Sequence, residues 1–587
     1  MRAPGRRLDP GWALVLGLSL FAWAPLLAPG YFLDAHDARH TLFFLNNFHQ
    51  AIREGVLIPR WAPDFALGYG YPLFLLYSPL AYYVAEVFHL LGATLTDAVK
   101  ATFGVGFLLS GWGMYGWGRR LFGRAGGLLA AVIYLYAPYH LVDIYVRASL
   151  AEFFALGLLP WAFWAFTAAV DEGSPRRVAA ASAAYAALLL THNATALLAT
   201  PFLGAWVLCR AALGWKETGG LRALGRALGA GVLGAGLAGF FLVPMLLERQ
   251  YVVLSQWTSG SYDYVKHFVY PSQFLSPFWG FGYAGEGTAD QMSFQLGLVP
   301  TVGFLVACTW GWRVRDRGAL AFFVGATLLL LFLMTPASAA VWQFLPLAAL
   351  VQFPWRLLAL TTLTLATVCG AVPGAAYARP LPLRGLEGER ADEERPSTPL
   401  LALALAATVL ASLPYLEPQQ TPRDPRAEEP VAVIDFETFH PPDRVGMTIW
   451  VREQPQDSPL VAQYLAGEPL QKVRLLRGQG EARTVEHGAA RERALVRAEG
   501  PVTVQVLTYY FPGWRAWVDG EEVPIRPEGP HGLITLDVPP GEHEIVLRFG
   551  DTPPRRAGLA LSGASLGAWL VLATWSLRRR GERDALS

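Results

Sequence analysis

Two aspartates follow the first long apolar stretch of the chain, and their chemistry makes them candidates for a general base. The apolar stretch covers residues 11–27, and the segment after it contains Asp34 and Asp37. A carboxylate at the edge of a membrane is partly desolvated, which raises its proton affinity and suits it to accept a proton from a hydroxyl nucleophile. We therefore expect Asp37 to be the catalytic base, with Asp34 as the second candidate. Aspartates in polar loops are more often merely solvated, so other residues have to support this hypothesis.

Charged residues elsewhere on the same predicted side of the membrane could complete such a site. The segment 138–149 contains Asp143 and Arg147, and Glu152 lies at the start of the next apolar run. Arg356 lies at the predicted outer end of another helix, where it could either bind a phosphate or anchor the helix at the lipid interface. The residues that we expect to bind a phosphate are Arg147, Arg356, Lys266 and His267. We expect no obligatory cofactor, although Mg²⁺ or Mn²⁺ could bind at Asp34, Asp37 and Asp143.

The overall composition is that of an integral membrane protein. Of the 587 residues, 53% are hydrophobic and only 16% are charged, whereas about 25% of a soluble domain is charged. The net charge of +1 provides no basic excess for phosphate backbones, so nucleic acid is excluded as a partner. The three cysteines lie in apolar stretches, which favours packed thiols over a disulfide framework or a metal site.

Apolar runs of about 20 residues, the length that crosses a bilayer as a helix, recur along the chain. The apolar segment 73–91 would break the alternation of the spans, and it contains Glu86 and His89. We expect this segment to lie on the outer interface, with a crossing helix as the alternative. Arginine-rich loops then place both termini in the cytoplasm of a multi-pass cell (plasma) membrane protein. The runs predict about twelve transmembrane helices, at residues 11–27, 99–118, 125–142, 150–170, 179–192, 195–210, 223–246, 296–313, 318–334, 355–378, 400–416 and 557–577.

This topology divides the chain into three regions. Residues 1–416 form the α-helical polytopic region, with outer loops at 28–98, which carries amphipathic helices, and at 247–295. Residues 417–556 form an extracytoplasmic β-rich domain, and residues 557–587 form the final helix and a basic cytoplasmic tail.

The β-rich region is predicted from short alternating runs, which include 431–439 and 447–453, and from turn signals. Asp519-Gly520 and Pro540-Gly541 are such turn signals, and together with the runs they predict an antiparallel β-sandwich. The sequence leaves open whether this domain is a scaffold or contacts a glycan.

Several short motifs resemble those of the GT-C superfamily of membrane glycosyltransferases. The chain is most similar to the bacterial YfhO-type and "6-pyruvoyl-tetrahydropterin synthase-related" multispanning membrane proteins. The motifs are Asp37 after the first helix, the Gly-x-x-x-Pro-Arg-Trp-x-Pro-Asp run from Gly55 to Asp64, Gly68-Tyr-Gly70-Tyr-Pro72, Phe353-Pro-Trp-Arg356 and Tyr510-Phe-Pro-Gly-Trp514.

The resemblance implies a polyprenyl-phosphate sugar donor and an acidic residue after the first helix that acts on the acceptor. We assign this role to Asp37, because His40 follows it as in similar sequences. Related transferases often have a second acid next to the first. Ala38 stands there in this chain, which leaves open whether Asp34 or Asp143 substitutes. The residues that we expect at the acceptor or in the surrounding loops are His40, Asp143, Glu152, Arg60, Trp61 and Tyr69.

We therefore expect an inverting membrane glycosyltransferase that uses a glycan, lipid or protein acceptor of the cell envelope. A transporter or flippase of a lipid-linked saccharide and a non-catalytic envelope-assembly protein are the alternatives. A transferase should have a lipid-wide cleft that ends at Asp37 with an arginine nearby. A transporter should have a central polar path, and an assembly protein should have an occluded Asp37. Mid-membrane charges and internal repeats, which are typical of transporters, are not evident in the sequence.

Overall fold

The computed structural model describes residues 9–289, 291–345, 347–376, 398–441 and 447–585. Helices make up most of the chain up to residue 412, two antiparallel sheets follow, and a long helix comes last. The helices before residue 250 are α1 (Pro10–Trp23), α2 (Ala38–Arg53), α3 (Leu73–Leu76), α4 (Leu80–Leu90), α5 (Leu95–Tyr136), α6 (Pro138–Tyr145), α7 (Leu150–Glu172), α8 (Pro175–Leu189), α9 (Asn193–Leu213), α10 (Trp215–Thr218), α11 (Leu221–Leu237) and α12 (Gly239–Glu248). The later helices are α13 (Leu298–Trp310), α14 (Arg317–Leu333), α15 (Ala339–Phe344), α16 (Ala348–Val351), α17 (Leu358–Ala376), α18 (Thr398–Ser412), α19 (Pro430–Phe439), α20 (Pro459–Ala466) and α21 (Pro553–Ala585).

Several of the described helices are long and apolar enough to cross a membrane. Six segments meet this condition, and eight do if each of two bent helix pairs counts as one span. The bent pairs are Leu221–Leu237 with Gly239–Tyr251 and Arg317–Leu333 with Pro336–Phe344. The six segments are Pro10–Leu27, Leu95–Tyr145, Leu150–Glu172, Asn193–Leu213, Pro354–Ala375 and Pro553–Trp575.

The predicted number of about twelve spans exceeds these six to eight segments for two physical reasons. The segment Leu95–Tyr145 contains two predicted spans, because Gly123 with φ of 79° breaks α5 into a helical hairpin. Other predicted spans form helices that are short for a membrane crossing, such as α8 with 15 residues and α13 with 13. At a rise of about 1.5 Å per residue these helices are shorter than the roughly 30 Å hydrocarbon core. The number twelve therefore stays a prediction.

The apolar segment 73–91 folds as the short helices α3 and α4. Helix α4 has 11 residues and is about 17 Å long, so it cannot cross the hydrocarbon core by itself. Its Glu86 is 3% exposed and accepts a hydrogen bond from Nδ1 of His49 at 2.9 Å. This geometry agrees with a segment that does not cross, whereas its place at the outer interface stays a prediction.

Ion pairs connect helix ends that the arginine pattern assigns to one side of the membrane. These pairs place the start of α1, the tip of the α5 hairpin, the ends of α7 and α9 and the start of α14 at one end of the helical bundle. The pairs are Arg119–Asp9 (2.5 Å), Arg120–Asp171 (3.0 Å), Arg210–Asp171 (2.9 Å) and Arg210–Asp316.

The strands that follow form two antiparallel sheets. One sheet has the order β1-β4-β8-β7 and the other the order β2-β3-β9-β5-β6. This two-sheet organisation agrees with the predicted β-sandwich. The strands are β1 (Val473–Arg477), β2 (Gly480–His487), β3 (Arg491–Ala498), β4 (Val502–Tyr509), β5 (Trp514–Val518), β6 (Glu521–Val523), β7 (Arg526–Glu528), β8 (Leu533–Val538) and β9 (Gly541–Phe549).

Two predicted strands are wrong. The run 431–439 lies in helix α19, where Val433, Ile434 and Glu437 are buried on one face. Alternation of apolar residues suggested a strand, but the buried positions have the three- and four-residue spacing of a helix. The run 447–453 makes only the isolated bridge between Val252 and Thr448.

Both predicted turns are confirmed. Asp519 and Gly520 connect β5 to β6 with φ of 50° and 89°, which is the conformation that a two-residue hairpin requires. Pro540 lies in the turn between β8 and β9, and Gly541, with φ of 127°, begins β9.

Two glycines allow α5 and α17 to pack backbone to backbone. A Cβ atom on Gly126 would lie 2.5 Å from the carbonyl oxygen of Gly370, and a Cβ on Gly370 would lie 2.9 Å from that of Gly126. The helices must therefore separate if either glycine receives a side chain. Gly104, elsewhere on α5, faces open space.

We expect Gly126→Ala to lower the free energy of unfolding by about 1–3 kcal/mol, because the added methyl group overpacks the contact between α5 and α17. The matched control Gly104→Ala should be neutral or stabilising by up to about 1 kcal/mol, because alanine has the higher helix propensity. Thermal unfolding of the two purified proteins in detergent measures the difference. Equal stabilities would contradict the helix packing described here.

Candidate active site

A cluster of buried charges lies where α6 ends and α7 begins. Arg147 is 4% exposed, and Asp143 and Glu152 are both fully buried. Nη1 of Arg147 donates to Oδ1 of Asp143 and, at 3.0 Å, to Oε2 of Glu152. The hydroxyl of Tyr139 donates to Oε1 of Glu152 at 2.6 Å. Because buried charges are tolerated only when they are paired and hydrogen bonded, these side chains hold each other in place.

A strained turn in the backbone brings the cluster together. Asp143 and Arg147 are four residues apart, so they lie on one face of a helical turn. Ala148 has φ of 51°, a left-handed conformation that costs a non-glycine residue about 1–2 kcal/mol. The N–H of Ser149 donates to the carbonyl of Asp143 at 3.0 Å. The turn directs α7 so that Glu152, in its first helical turn, reaches Arg147.

Arg356 joins this cluster from a distant part of the chain. Its Nε lies 3.6 Å from Oε2 of Glu152, and its Nη1 donates to Oε1 of Gln352 at 2.7 Å. Gln352 has φ of 64°, and the N–H of Phe353 donates to the carbonyl of Val351 at 2.7 Å, which makes a strained γ-turn. The Nη2 atom of Arg356 makes no hydrogen bond with the part of the chain that the structure describes. Strained backbone on both arginine segments is typical of functional sites.

The backbone of Asp37 is held against the turn that contains Arg147. The N–H of Asp37 donates to the carbonyl of Arg147 at 2.7 Å, and the N–H of His36 donates to that of Val146 at 3.3 Å. The hydroxyl of Thr41 donates to the carbonyl of Asp37 at 2.9 Å. The Asp37 carboxylate is half-buried and has neither a hydrogen bond nor an ion pair with a described residue. Its lone pairs are therefore available to a proton or a ligand.

Two tyrosines of the α3–α4 segment, the buried Tyr82 and the half-buried Tyr77, lie within electrostatic reach of Asp37. Burial raises the pKa of Tyr77 and Tyr82, and the charge of Asp37 raises the pKa of both phenols further. The charge of Arg356 acts on the pKa of Tyr77 in the opposite direction. The charges of Asp37 and Arg356 thus both act on the pKa of Tyr77, so both groups lie within electrostatic reach of this side chain.

The segment 247–295, which was predicted to be an outer loop, packs against both chain segments of the site. Nε2 of His36 lies 3.0 Å from the carbonyl oxygen of Gly282, and its ring stacks on Tyr283 at 4.2 Å. Burial lowers the pKa of His36 below its usual value. His267 is 8% exposed and packs edge to face against Phe353 at 4.7 Å. The predicted phosphate ligand His267 therefore lies next to the Arg356 segment.

Two predicted site residues lie apart from the cluster. Asp34 is exposed and pairs with Arg39 at 3.3 Å. Lys266 is exposed and lies 3.7 Å from Glu286. The structure does not support the expectation that Asp34 substitutes as the base or that Lys266 binds the phosphate, because each already has a partner at the surface.

The residues of the Gly55–Asp64 and Gly68–Pro72 motifs attach the segment 28–98 to the β-sheets instead of surrounding Asp37. Trp61 is 3% exposed and packs against Trp514 at 5.5 Å and Phe549 at 5.2 Å. The carbonyl of Tyr69 accepts a hydrogen bond from the N–H of Tyr509 at 3.0 Å. The expected acceptor roles of Trp61 and Tyr69 are therefore not supported.

His40 and Arg60 also differ from the expectation. The ring of His40 packs edge to face against Phe43, Phe44 and Phe436, so it belongs to an aromatic cluster on α2. Arg60 is 7% exposed and donates from Nη2 to the carbonyl of Phe240 at 3.3 Å. It lies beyond the end of α2 that is opposite to Asp37.

The predicted divalent-ion site at three aspartates is not supported. Within the described ranges, no group of three or more histidine, cysteine, aspartate or glutamate side chains is arranged to bind a metal. Arg147 forms an ion pair with Asp143, and Arg39 forms one with Asp34. The carboxylates therefore do not share one vacant site with Asp37.

The sequence analysis missed several side chains that shape the site. Tyr139 bonds to Glu152, and the ring of Trp355 covers Arg147 with 4.8 Å between the guanidinium carbon and the ring centre. Trp355 precedes Arg356 in one of the motifs that this chain shares with similar sequences. This position could have identified Trp355 as a site residue. No sequence signal singled out Tyr139 or Tyr77.

We expect Arg147→Gln to lower the free energy of unfolding by about 3–5 kcal/mol, because Asp143 and Glu152 would stay buried without their cation. Asp37→Asn should change it by less than about 0.5 kcal/mol, because the Asp37 carboxylate has no partner to lose. Thermal unfolding in detergent compares both variants with the unsubstituted protein. An Asp37→Asn protein as unstable as Arg147→Gln would show that Asp37 is a structural member of the cluster.

Several solved structures have some likeness to this chain. The mycobacterial arabinofuranosyltransferase AftD aligns over 94% of this chain and 40% of its own, with 14% identity and a TM-score of 0.41. The Archaeoglobus fulgidus oligosaccharyltransferase aligns over 78% of this chain and 58% of its own, with 13% identity and a TM-score of 0.41. ArnT from Cupriavidus metallidurans, solved with undecaprenyl phosphate, aligns over 63% of this chain and 78% of its own, with 13% identity and a TM-score of 0.30. Likeness at this level supports no transfer of substrate or mechanism.

Sequence comparison places the chain in a family. An uncharacterized protein of Lactococcus lactis subsp. cremoris is 22% identical over 244 residues, which are 40% of this chain and 39% of that protein. The matched region thus spans about two fifths of this relative. The sequence model of the 6-pyruvoyl-tetrahydropterin synthase related domain, a membrane protein family, matches residues 74–418. Because this match covers more than half of the chain, the protein belongs to the 6-pyruvoyl-tetrahydropterin synthase related family of membrane proteins.

Proposed function

We propose that the protein is a membrane glycosyltransferase that moves a sugar from a polyprenyl-phosphate donor to a hydroxyl acceptor of the cell envelope. The observation that carries this proposal is the carboxylate of Asp37, which is half-buried and without a described partner, while its backbone is bonded to Arg147. An unpaired carboxylate beside two guanidinium groups, one of which has an Nη2 that no described residue engages, provides a proton acceptor and a cationic hydrogen-bond donor together. Sugar transfer from a lipid phosphate requires both groups.

Asp37 acts as the general base in this proposal. The acceptor oxygen attacks the anomeric carbon of the donor while its proton passes to a carboxylate oxygen of Asp37. The bond between the anomeric carbon and the phosphate oxygen breaks, and its electron pair leaves with the polyprenyl phosphate. A single displacement of this kind inverts the anomeric centre.

Arg356 stabilises the leaving phosphate, and Arg147 has mainly a positioning role. Nη1 of Arg147 is engaged by Asp143 and Glu152, so this atom is not available to a phosphate. Nη2 of Arg356 is not engaged by the described residues, and its side chain is 12% exposed. Positive charge placed where negative charge develops lowers the barrier most when the group is already fixed, and Gln352 and Glu152 fix Arg356.

The site faces the outer side of the cell membrane in this proposal, and both termini lie in the cytoplasm. The ion pairs that include Asp9, Asp171 and Arg210 lie at one end of the helical bundle, and they support this orientation. They belong to the arginine-rich loops that the positive-inside rule assigns to the cytoplasm. The β-sheets would then be extracytoplasmic.

We expect Asp37→Asn to lower sugar transfer by roughly 10²–10⁴-fold, the usual effect of removing a general base. Membranes that contain the variant are supplied with radiolabelled undecaprenyl-phosphate hexoses, and loss of label from the lipid is followed. Asp34→Asn is the matched control and should transfer normally, because Asp34 pairs with Arg39 at the surface. Normal transfer by the Asp37→Asn protein, or movement of intact labelled lipid across the membrane without transfer, would overturn the proposal.

We expect Arg356→Gln to lower the transfer rate by about 10²–10³-fold, because the leaving phosphate loses its fixed counter-charge. Lys266→Gln should leave the rate unchanged, because Lys266 is exposed and close to Glu286. The same assay with the two purified variants separates these outcomes. If Lys266→Gln caused the larger loss, the phosphate would have to bind to the outer loop and not to the cluster.

A further inference from the structure

A cavity lies at the end of α2 that is opposite to Asp37. Its volume is about 370 Å³, and three parts of the chain form its walls. Residues 51–61 form one wall, the turn between β2 and β3 and the end of β9 form the second, and the start of α21 forms the third. Both carboxylate oxygens of Glu54 accept a hydrogen bond from the N–H of Ala489 at 2.9 Å, which fixes two of the walls to each other.

Arg60 lines this cavity as a buried cation without a direct counter-ion. It is 7% exposed, and its hydrogen bond within the described chain goes to the carbonyl of Phe240 at 3.3 Å. No carboxylate of the described residues lies within 4.0 Å of its guanidinium, so Arg60 forms no ion pair there. Burial and, to a smaller extent, the charge of Arg555 lower the pKa of Arg60 to about 10, against the charges of Asp551 and Glu248, which raise it. A buried guanidinium in this state is stabilised by any anion that enters the cavity.

The second arginine in the cavity wall has a counter-ion and further hydrogen-bond partners of its own. Arg555 donates to Oε2 of Glu248 at 3.0 Å, to the carbonyl of Gly550 at 2.6 Å and to that of Pro512 at 2.9 Å. Asp551 also lines the cavity, but it is exposed, and it acts on Arg60 only from beyond ion-pair distance. Arg60 is therefore the guanidinium of the cavity wall that has no ion-pair partner among the described residues.

The remaining walls are apolar and lie beside a membrane helix. Leu57 is 74% exposed and Leu559 is 37% exposed, and both line the cavity together with Trp61 and Phe549. Leu559 belongs to α21, whose segment Pro553–Trp575 is one of the candidate membrane spans. A charged interior with apolar walls beside a spanning helix matches a molecule that has an anionic head and a hydrocarbon chain.

We propose that this cavity binds a phosphate-bearing membrane lipid, with the phosphate at Arg60 and the hydrocarbon chain along Leu57 and Leu559. The cavity reaches Ala51, which lies 14 positions beyond Asp37 along α2, or roughly 21 Å at 1.5 Å per residue. A lipid in this cavity is therefore distinct from a donor that reacts at Asp37. The shared chemistry is a phosphate group on a lipid, which either a phospholipid or a prenyl phosphate supplies.

Native mass spectrometry and thermal unfolding of the full chain in detergent test the proposal. The probes are dioleoylphosphatidylglycerol, farnesyl phosphate, uncharged dioleoylglycerol and inorganic phosphate. We expect the two phosphate lipids to bind and to raise the unfolding temperature. Arg60→Gln should weaken their binding about 10–100-fold, the loss of one or two hydrogen bonds to a charged group. The preferred phosphate lipid identifies the source of the ligand.

Three controls keep the result unambiguous. Arg53→Gln, an exposed change close to the cavity in sequence, should bind as the unsubstituted protein does. Arg60→Lys keeps the charge and should bind more tightly than Arg60→Gln. Asp37→Asn should bind the phosphate lipids normally, so failure of the transferase proposal does not affect this test. Equal binding by the unsubstituted and Arg60→Gln proteins, or inorganic phosphate binding as tightly as the lipids, would overturn the inference.

Discussion

The burial of Arg147 between two carboxylates is the interaction on which the rest of the site depends. A guanidinium removed from water requires close partners, and Asp143 and Glu152 provide them from the two helices on either side of the turn. The carboxylate of Glu152 also forms an ion pair with Arg356, so the cluster has two positive and two negative groups. Asp37 is the additional carboxylate beside this balanced set. Its backbone is bonded to the turn, while its side chain stays unpaired.

A second buried ion pair lies where the helices meet the β-sheets. Arg555 and Glu248 link the start of α21 to the end of α12, and carbonyl groups of the β-region complete the coordination of Arg555. Trp61 enters the aromatic core of the sheets from the outer loop. The β-sheets are therefore attached to the helical region through both charge and apolar packing. Arg60 lies between these contacts and is buried without an ion-pair partner among the described residues. Its cavity therefore differs from the rest of this interface.

Much of the fold could be predicted because local patterns encode it. Apolar runs identified the long helices, and Asp519-Gly520 identified a hairpin because few residue pairs adopt positive φ easily. The errors arose where local patterns are ambiguous. The run 431–439 alternates like a strand, but contacts with Ala66 and Leu67 bury Glu437 on a helix face. Helix α8 was predicted as a span from its apolar composition, although its length of 15 residues is short for one.

The sequence by itself determined that this is a membrane protein with a β-rich segment, and it identified Asp37, Arg147 and Arg356 as chemistry-bearing residues. Hydropathy and residue type are local properties, so they can be read without the fold. Only the tertiary structure decided which charged residues meet. Glu152 brings Arg147 and Arg356 together. Asp34 and Lys266 each pair with a different residue at the surface. Trp61 and Tyr69 belong to the joint with the β-sheets, because partners hundreds of residues away determine where a side chain is buried.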